Sequence, residues 1–169
     1  MKLHGNITMN GKHYPKGSNI PWQMIYPFFM IHMLAFGTSG FFLAYGSDAD
    51  VSFLYMHGGF AIFVYVIFYF TIFGVDEVKW MFTNAGLGLF GIYCEIDWIL
   101  SLFGKHADDF AWYVHVIPFL YYVLYTFLLR QAVIDITRSR HNEARMKVVN
   151  SFYVVVSLAI YILIYLSQH

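Results

Sequence analysis

The chain of 169 residues has no formal net charge, is 59% hydrophobic and 21% aromatic, and carries only 12% charged residues, about half the roughly 25% of an ordinary soluble domain. This excludes a disordered chain, and ten Lys+Arg balanced by ten Asp+Glu leave no basic excess for nucleic acid. A mean hydropathy of +0.57 points to a lipid bilayer. The single cysteine, Cys94, allows no intrachain disulfide and no cysteine-rich metal or iron–sulfur site, so any metal has to be held by His or carboxylate.

Residues 1–23 precede the first apolar run and read as a cytoplasmic arm. In NITMNGKHY, Asn10-Gly11 separates two short β-compatible stretches, the strongest short-range hairpin signal, and Pro15, Gly17 and Pro21 end it before the membrane. No apolar stretch follows the initial Met-Lys, so the first span is expected to act as an uncleaved signal-anchor. Asn6-Ile7-Thr8 fits the glycosylation pattern, but a cytoplasmic arm never meets the transferase.

Crossing ~30 Å of hydrocarbon takes about 20 apolar residues at 1.5 Å each. Five runs qualify: residues 24–45, 53–73, 80–103, 110–129 and 148–166. They are continuously apolar, unlike the alternating strands of a membrane barrel, and together leave too little polar surface to solvate a globule. The predicted fold is therefore an all-α integral membrane protein, a five-transmembrane-helix bundle over residues 24–169.

Its orientation follows from the loops. Lys2, Lys12, Lys16, Lys79, Arg130, Arg138, Arg140, Arg145 and Lys147 fall on one side and only Lys105 on the other. The N-terminus is then cytoplasmic and the C-terminal His169 external, as expected in a bacterial inner membrane. Were the third run a re-entrant dip, the five-charge connection at 130–147 would move outside and break the rule, so it is read as a full span. That connection is expected to continue the fourth helix into the headgroup boundary, its Arg residues on anionic lipid.

Ionisable groups at bilayer depth cost several kcal/mol unless they face the interior with a partner. Five occur: His32, His57, Glu95, Asp97 and His115. His57 lies about four residues into the second span and His115 about five into the fourth, so both are expected ~6–8 Å deep on the outer side. Glu95 and Asp97, six to eight residues before the outer end of the third span, lie ~9–12 Å deep on that side. All four are expected to converge in the outer leaflet.

Small residues mark close helix approach in membranes. Asn84, Gly88, Gly91 and Glu95 recur at helical spacing, so Glu95 is expected on a close-packed seam, with Asp97 about 200° further round. Gly58 and Gly59 beside His57 remove bulk and admit a flat cofactor or a neighbouring backbone. Pro118 cannot donate to the carbonyl of Val114, loosening the backbone beside His115, and Tyr122 and Thr126 continue that face. His32, mid-span near Ala35, Ser39 and Gly40, reads as a histidine bonded to a neighbouring hydroxyl or carbonyl. For His57 and His115, ligation and a structural hydrogen-bonded pair both stay open. Glu95 and Asp97 also admit a plain interfacial reading beside Trp98. His4, His13, His106, His141 and His169 are assigned no function.

LYMHGGFAIFVYVIFYF, with a His just inside the outer end followed by Gly and a long apolar run, resembles the second helix of the four-helix membrane-bound b-type cytochromes. WYVHVIPFLYYVLYTFLL resembles the fourth. The resemblance covers the first four spans and implies a haem b near the outer surface between His57 and His115. The second haem of some members needs a His where this chain has Leu129, so it implies one haem at most, with the fifth span an addition.

Three functions follow as expectations. The first is a membrane electron-transfer subunit, its haem held by His57 and His115, exchanging electrons with quinol or a partner protein. Glu95 is there the candidate catalytic group, taking the quinol proton. The second is a non-haem iron or zinc site of His57, His115 and Glu95. The third is an accessory subunit without cofactor, docked in a larger membrane complex. No nucleophile elbow, phosphate loop or cysteine pair supports a hydrolase, nucleotide-driven or thiol-redox enzyme.

Overall fold

The computed structural model describes residues 1–46 and 50–168, apart from the side chains of Phe90 and Gln168; His169 lies outside the described residues. The chain is 77% helical. It begins with a hairpin of β1 (Ile7–Met9) and β2 (Lys12–Tyr14), antiparallel with Thr8 opposite His13. Asn10 and Gly11 take φ of 51° and 73°, the paired left-handed conformation of a two-residue turn that matches strand twist.

The hairpin is fastened to the bundle. Leu3, Ile7 and Ile20 are buried, and the amides of His4 and Gly5 both donate to the Thr71 carbonyl at 2.9 Å. Thr71 lies in the last turn of α2 (Val51–Phe73), which ends at Gly74. Gly74 has φ of +84°, and a Cβ there would strike the ring of His4. Only glycine meets both requirements.

α1 (Trp22–Tyr45) and α2 are followed by the four-residue α3 (Val75–Val78), α4 (Trp80–Ser101), α5 (Val116–Ile136) and α6 (Glu143–Gln168). Short 3₁₀ turns at Ala107–Asp109 and Trp112–His115 bridge α4 and α5. α5 is central, packed by α1, α2, α4 and α6, while α6 leans mainly on α4. Trp22–Tyr45, Val51–Phe73, Trp112–Ile136 and Glu143–Ser167 are long and apolar enough to cross a membrane. α4 is as long, but Asn84, Glu95 and Asp97 lower its apolarity. Phe42, Phe60, Phe63, Phe82, Leu89 and Leu163 lie outward, each more than half exposed. A continuous apolar exterior of this kind is untenable in water and ordinary in lipid, so the fold is that of a helical integral membrane protein.

The boundaries differ from expectation at α5 and α6. The fourth helix does continue past residue 129, but its Arg130 is 1% exposed, not on lipid headgroups. The cause is internal pairing: Arg130 donates to Glu77 at 3.1 Å and to Asn150 at 3.1 and 2.9 Å, and stacks 4.0 Å above the Trp80 ring. Arg140 is also withdrawn from lipid, bonding Asp135 at 2.6 and 2.9 Å and Gln131 at 2.9 Å. Burial works against the charge of Arg140, but the hydrogen bonds and charge of Asp135 outweigh it and hold the guanidinium above its ordinary pKa. Gln131 donates to Glu77 at 2.7 Å and Tyr26 to Asp135 at 2.5 Å. Two cations and two carboxylates thus form one neutral network joining α1, α3, α4, α5 and α6 at the end of the bundle that carries the hairpin.

Candidate functional site

His57 and His115 are not brought together. His57 Nε2 lies 3.5 Å from Ser39 Oγ, and its ring is stacked at 5.9 Å on Phe53. His115 Nδ1 is hydrogen-bonded at 2.7 Å to the Tyr45 hydroxyl. Ser39 and Tyr45 are six residues apart on α1, so the two imidazoles meet that helix at levels about 9 Å apart and on faces about 120° apart. The expectation of equal depth rested on the fourth span starting near residue 110. The chain instead reaches α5 through a 3₁₀ turn ending at His115, which precedes the first residue of α5, whereas His57 stands six residues, about 9 Å, into α2. Pro118 therefore sits in the first turn of α5, where its missing N–H leaves no bond broken.

The room foreseen at Gly58 is filled by Ile117, which a Cβ on Gly58 would overlap, so α2 and α5 are in contact there and would have to separate to admit a haem between the two rings. Gly59 does face open space. The three-residue set of His57, His115 and Glu95 is likewise not assembled: among the described residues no three His, Cys, Asp or Glu are grouped to hold a metal ion.

His57 instead shares an apolar groove of about 580 Å³ between α1 and α2 with His32. His32 donates to the carbonyl of Phe28 at 2.7 Å, the local bond expected of a histidine in mid-span. Asp97 serves the loop after α4, accepting the amide of Ala107 at 2.8 Å, with His106 at 3.4 Å.

Glu95 is placed as its spacing implied. Gly88 lies against Tyr122 and Phe119, 3.1 and 3.2 Å from where a Cβ would stand, and Gly91 lies under the ring of Tyr161. The small-residue seam is a three-helix contact of α4 with α5 and α6. It delivers Glu95 about 9 Å below the end of α4, level with Tyr122 on α5 and Tyr161 on α6, whose hydroxyls are hydrogen-bonded to each other. Tyr122, Tyr153 and Tyr161 are within electrostatic reach of the carboxylate. Among the described residues it has no ion pair or hydrogen bond.

Glu95, Tyr122 and Tyr125 form a wall between two cavities. One, of about 370 Å³, lies between α1, α4 and α5 and is apolar but for that wall, Thr38 and Tyr121. The other, of about 450 Å³, runs between α4, α5 and α6 from Glu95 to Arg130. The Arg130 network and the polar residues of α6 are missed by reading single ionisable groups. Their signal is periodic: Tyr122, Thr126 and Arg130 are four apart, and Asn150, Tyr153, Ser157 and Tyr161 are three or four apart, each series one face of a helix.

An integral membrane bundle with a carboxylate at its interior wall is the class that fold and site define. Beyond that class, the chain matches no known family model, no curated protein and no solved structure.

Proposed function

We propose that the chain is a five-span subunit of a larger complex in a bacterial inner membrane, N-terminus inside, which takes a quinol-class donor into the α1/α4/α5 cavity and transfers its proton to Glu95. One observation carries this reading: a carboxylate at membrane depth, unpaired among the described residues, walls a cavity that is otherwise almost wholly apolar. Such a group is costly unless it serves a ligand or a proton. A quinol matches it, with an apolar ring for the walls and a hydroxyl that donates to the carboxylate. Oxidation to the quinone releases two protons and two electrons; Glu95 accepts protons one at a time, and the electrons pass to a redox centre of a partner subunit. His57 and His115 take no part in this.

The five-span reading is supported by α4, whose 22 residues reach about 33 Å, and by the basic loops, which then stand almost all on one side.

The experiment is a titration of the protein in lipid nanodiscs with a short-tailed benzoquinol, followed by tyrosine and tryptophan fluorescence. Saturable binding is expected, weakened at least tenfold by Glu95→Gln. Gly37, which lines the cavity and has open space at its Cβ, should abolish binding as Gly37→Phe without disturbing the helices. No saturable binding by the unaltered protein would overturn the reading and favour an accessory subunit without ligand.

A further inference from the structure

We infer that the α4/α5/α6 cavity is a proton passage connecting Glu95 to the membrane face that carries the hairpin. This rests on Glu95 as a proton-carrying group and not on the identity of the ligand in the neighbouring cavity.

Three helices turn polar stripes toward one another. On α6, Asn150, Tyr153, Ser157 and Tyr161 occupy one face of a helix that elsewhere in this stretch presents Phe, Val, Leu, Ile and Ala, with Ser151 at its start the one other polar residue. A helix facing only lipid has no use for such a stripe. On α5, Tyr122, Thr126 and Arg130 face it. On α4, Asn84 and Glu95 lie on the seam of Gly88 and Gly91. Eight of the fourteen side chains lining the cavity carry a hydroxyl or a charge, against five of the thirteen lining the α1/α4/α5 cavity on the other side of Glu95. Both cavities present mostly hydrocarbon surface, so the hydroxyls form a thin polar track along an apolar wall.

The two ends of the passage are set by hydrogen bonds. At the upper end, the bonded hydroxyls of Tyr122 and Tyr161 stand beside Glu95. At the lower end, Asn150 is bonded to Arg130 and Arg130 to Glu77, and the Glu77 side chain is 24% exposed, which opens the network to water. From Arg130 to Tyr122 is about 12 Å along α5, and from Asn150 to Tyr161 about 17 Å along α6. Tyr153 lies between, its hydroxyl donating to the Thr126 carbonyl at 3.4 Å. Glu77 matches the charge of Arg130, so the mouth does not repel a proton.

Asn84 adds a second, independent observation. It is 1% exposed, and among the described residues neither its amide nitrogen nor its oxygen has a partner. It stands one turn above Trp80, whose ring bears Arg130, and one turn below Gly88. A buried donor and acceptor both left open at this level are what a bridging water would satisfy.

The groups that share the two cavities with Glu95 are Tyr121, Tyr122 and Tyr125 from α5, Tyr153 and Tyr161 from α6, and Thr38 from α1, with Arg130 at the far end of the second cavity. No cation stands beside the carboxylate among these, so its protonation follows whichever aqueous phase reaches it.

The test uses the full chain in sealed liposomes, with the two insertion directions separated by a terminal tag and the pH set independently on each side. Dicyclohexylcarbodiimide labels carboxyls only when protonated, and mass spectrometry reads the labelling rate of Glu95, with Glu95→Gln as the blank. Acidifying the hairpin side by two pH units should raise the rate at least fivefold, and acidifying the opposite side should leave it unchanged. Ser157→Leu, which fills the cavity, and Tyr153→Phe, which keeps its volume, should each suppress the response while both variants keep their helical content. A rate that follows the opposite side, or a hairpin-side response untouched by both substitutions, would overturn the passage. The benzoquinol titration is unaffected by either outcome, so failure of the ligand reading and failure of the passage are told apart.

Discussion

Replacing Gly91 by alanine tests the three-helix seam most directly. A Cβ at Gly91 would overlap the Tyr161 ring, whereas one at Gly86, on the same helix, would meet nothing within 4 Å. Alanine is favoured over glycine within a helix by about 0.5–1 kcal/mol, and that gain is common to both variants. Their difference therefore isolates the overpacking cost, about 1–3 kcal/mol for forcing apart a packed contact. This corresponds to about a 5- to 150-fold change in the folded-to-unfolded ratio. The displaced ring also leaves Tyr122 without its hydroxyl partner. The assay is reversible unfolding in mixed micelles with increasing dodecyl sulfate, followed by circular dichroism. Gly86→Ala should be slightly stabilising, Gly88→Ala intermediate because the Tyr122 ring 3.1 Å away has to shift only slightly, and Gly91→Ala the least stable. Equal stability of the Gly86 and Gly91 variants would refute the placement of α6 on the seam.

Arg130→Leu should destabilise by about 3 kcal/mol, the lower end for an orphaned partner of a buried pair because Glu77 keeps Gln131 and some water. Adding Glu77→Leu should recover most of that loss in the same unfolding assay. A reporter fused after residue 169 should read external and one at residues 138–141 internal; the reverse would place the hairpin outside. The purified protein should lack a low-spin haem spectrum, since Ile117 occupies the space at Gly58 and Tyr45 holds His115. A b-type spectrum lost on His57→Ala and on His115→Ala would show that α2 and α5 separate to admit the macrocycle.

Apolar length, the Asn10-Gly11 turn and the spacing of Asn84, Gly88, Gly91 and Glu95 are local properties of the chain. Each is a repeat or turn readable within about a dozen residues, because helix and hairpin geometry relate near neighbours in sequence. The membrane class and the inward placement of Glu95 were legible for that reason. Partner choice is not local. His57 and His115 look equivalent by helical rise, yet Ser39 receives one and Tyr45 the other, which depends on how α1 crosses α2 and α5. Arg130 looks like a headgroup contact from its charge, yet Glu77, Trp80 and Asn150, contributed by three other helices, supply the pairing that lets it stay inside. The amino-acid sequence by itself determined which segments are helices and which of their faces are polar. Only the tertiary structure decided which polar faces meet, because in lipid an ionisable group is retained wherever packing brings it a partner, and that partner can come from any helix.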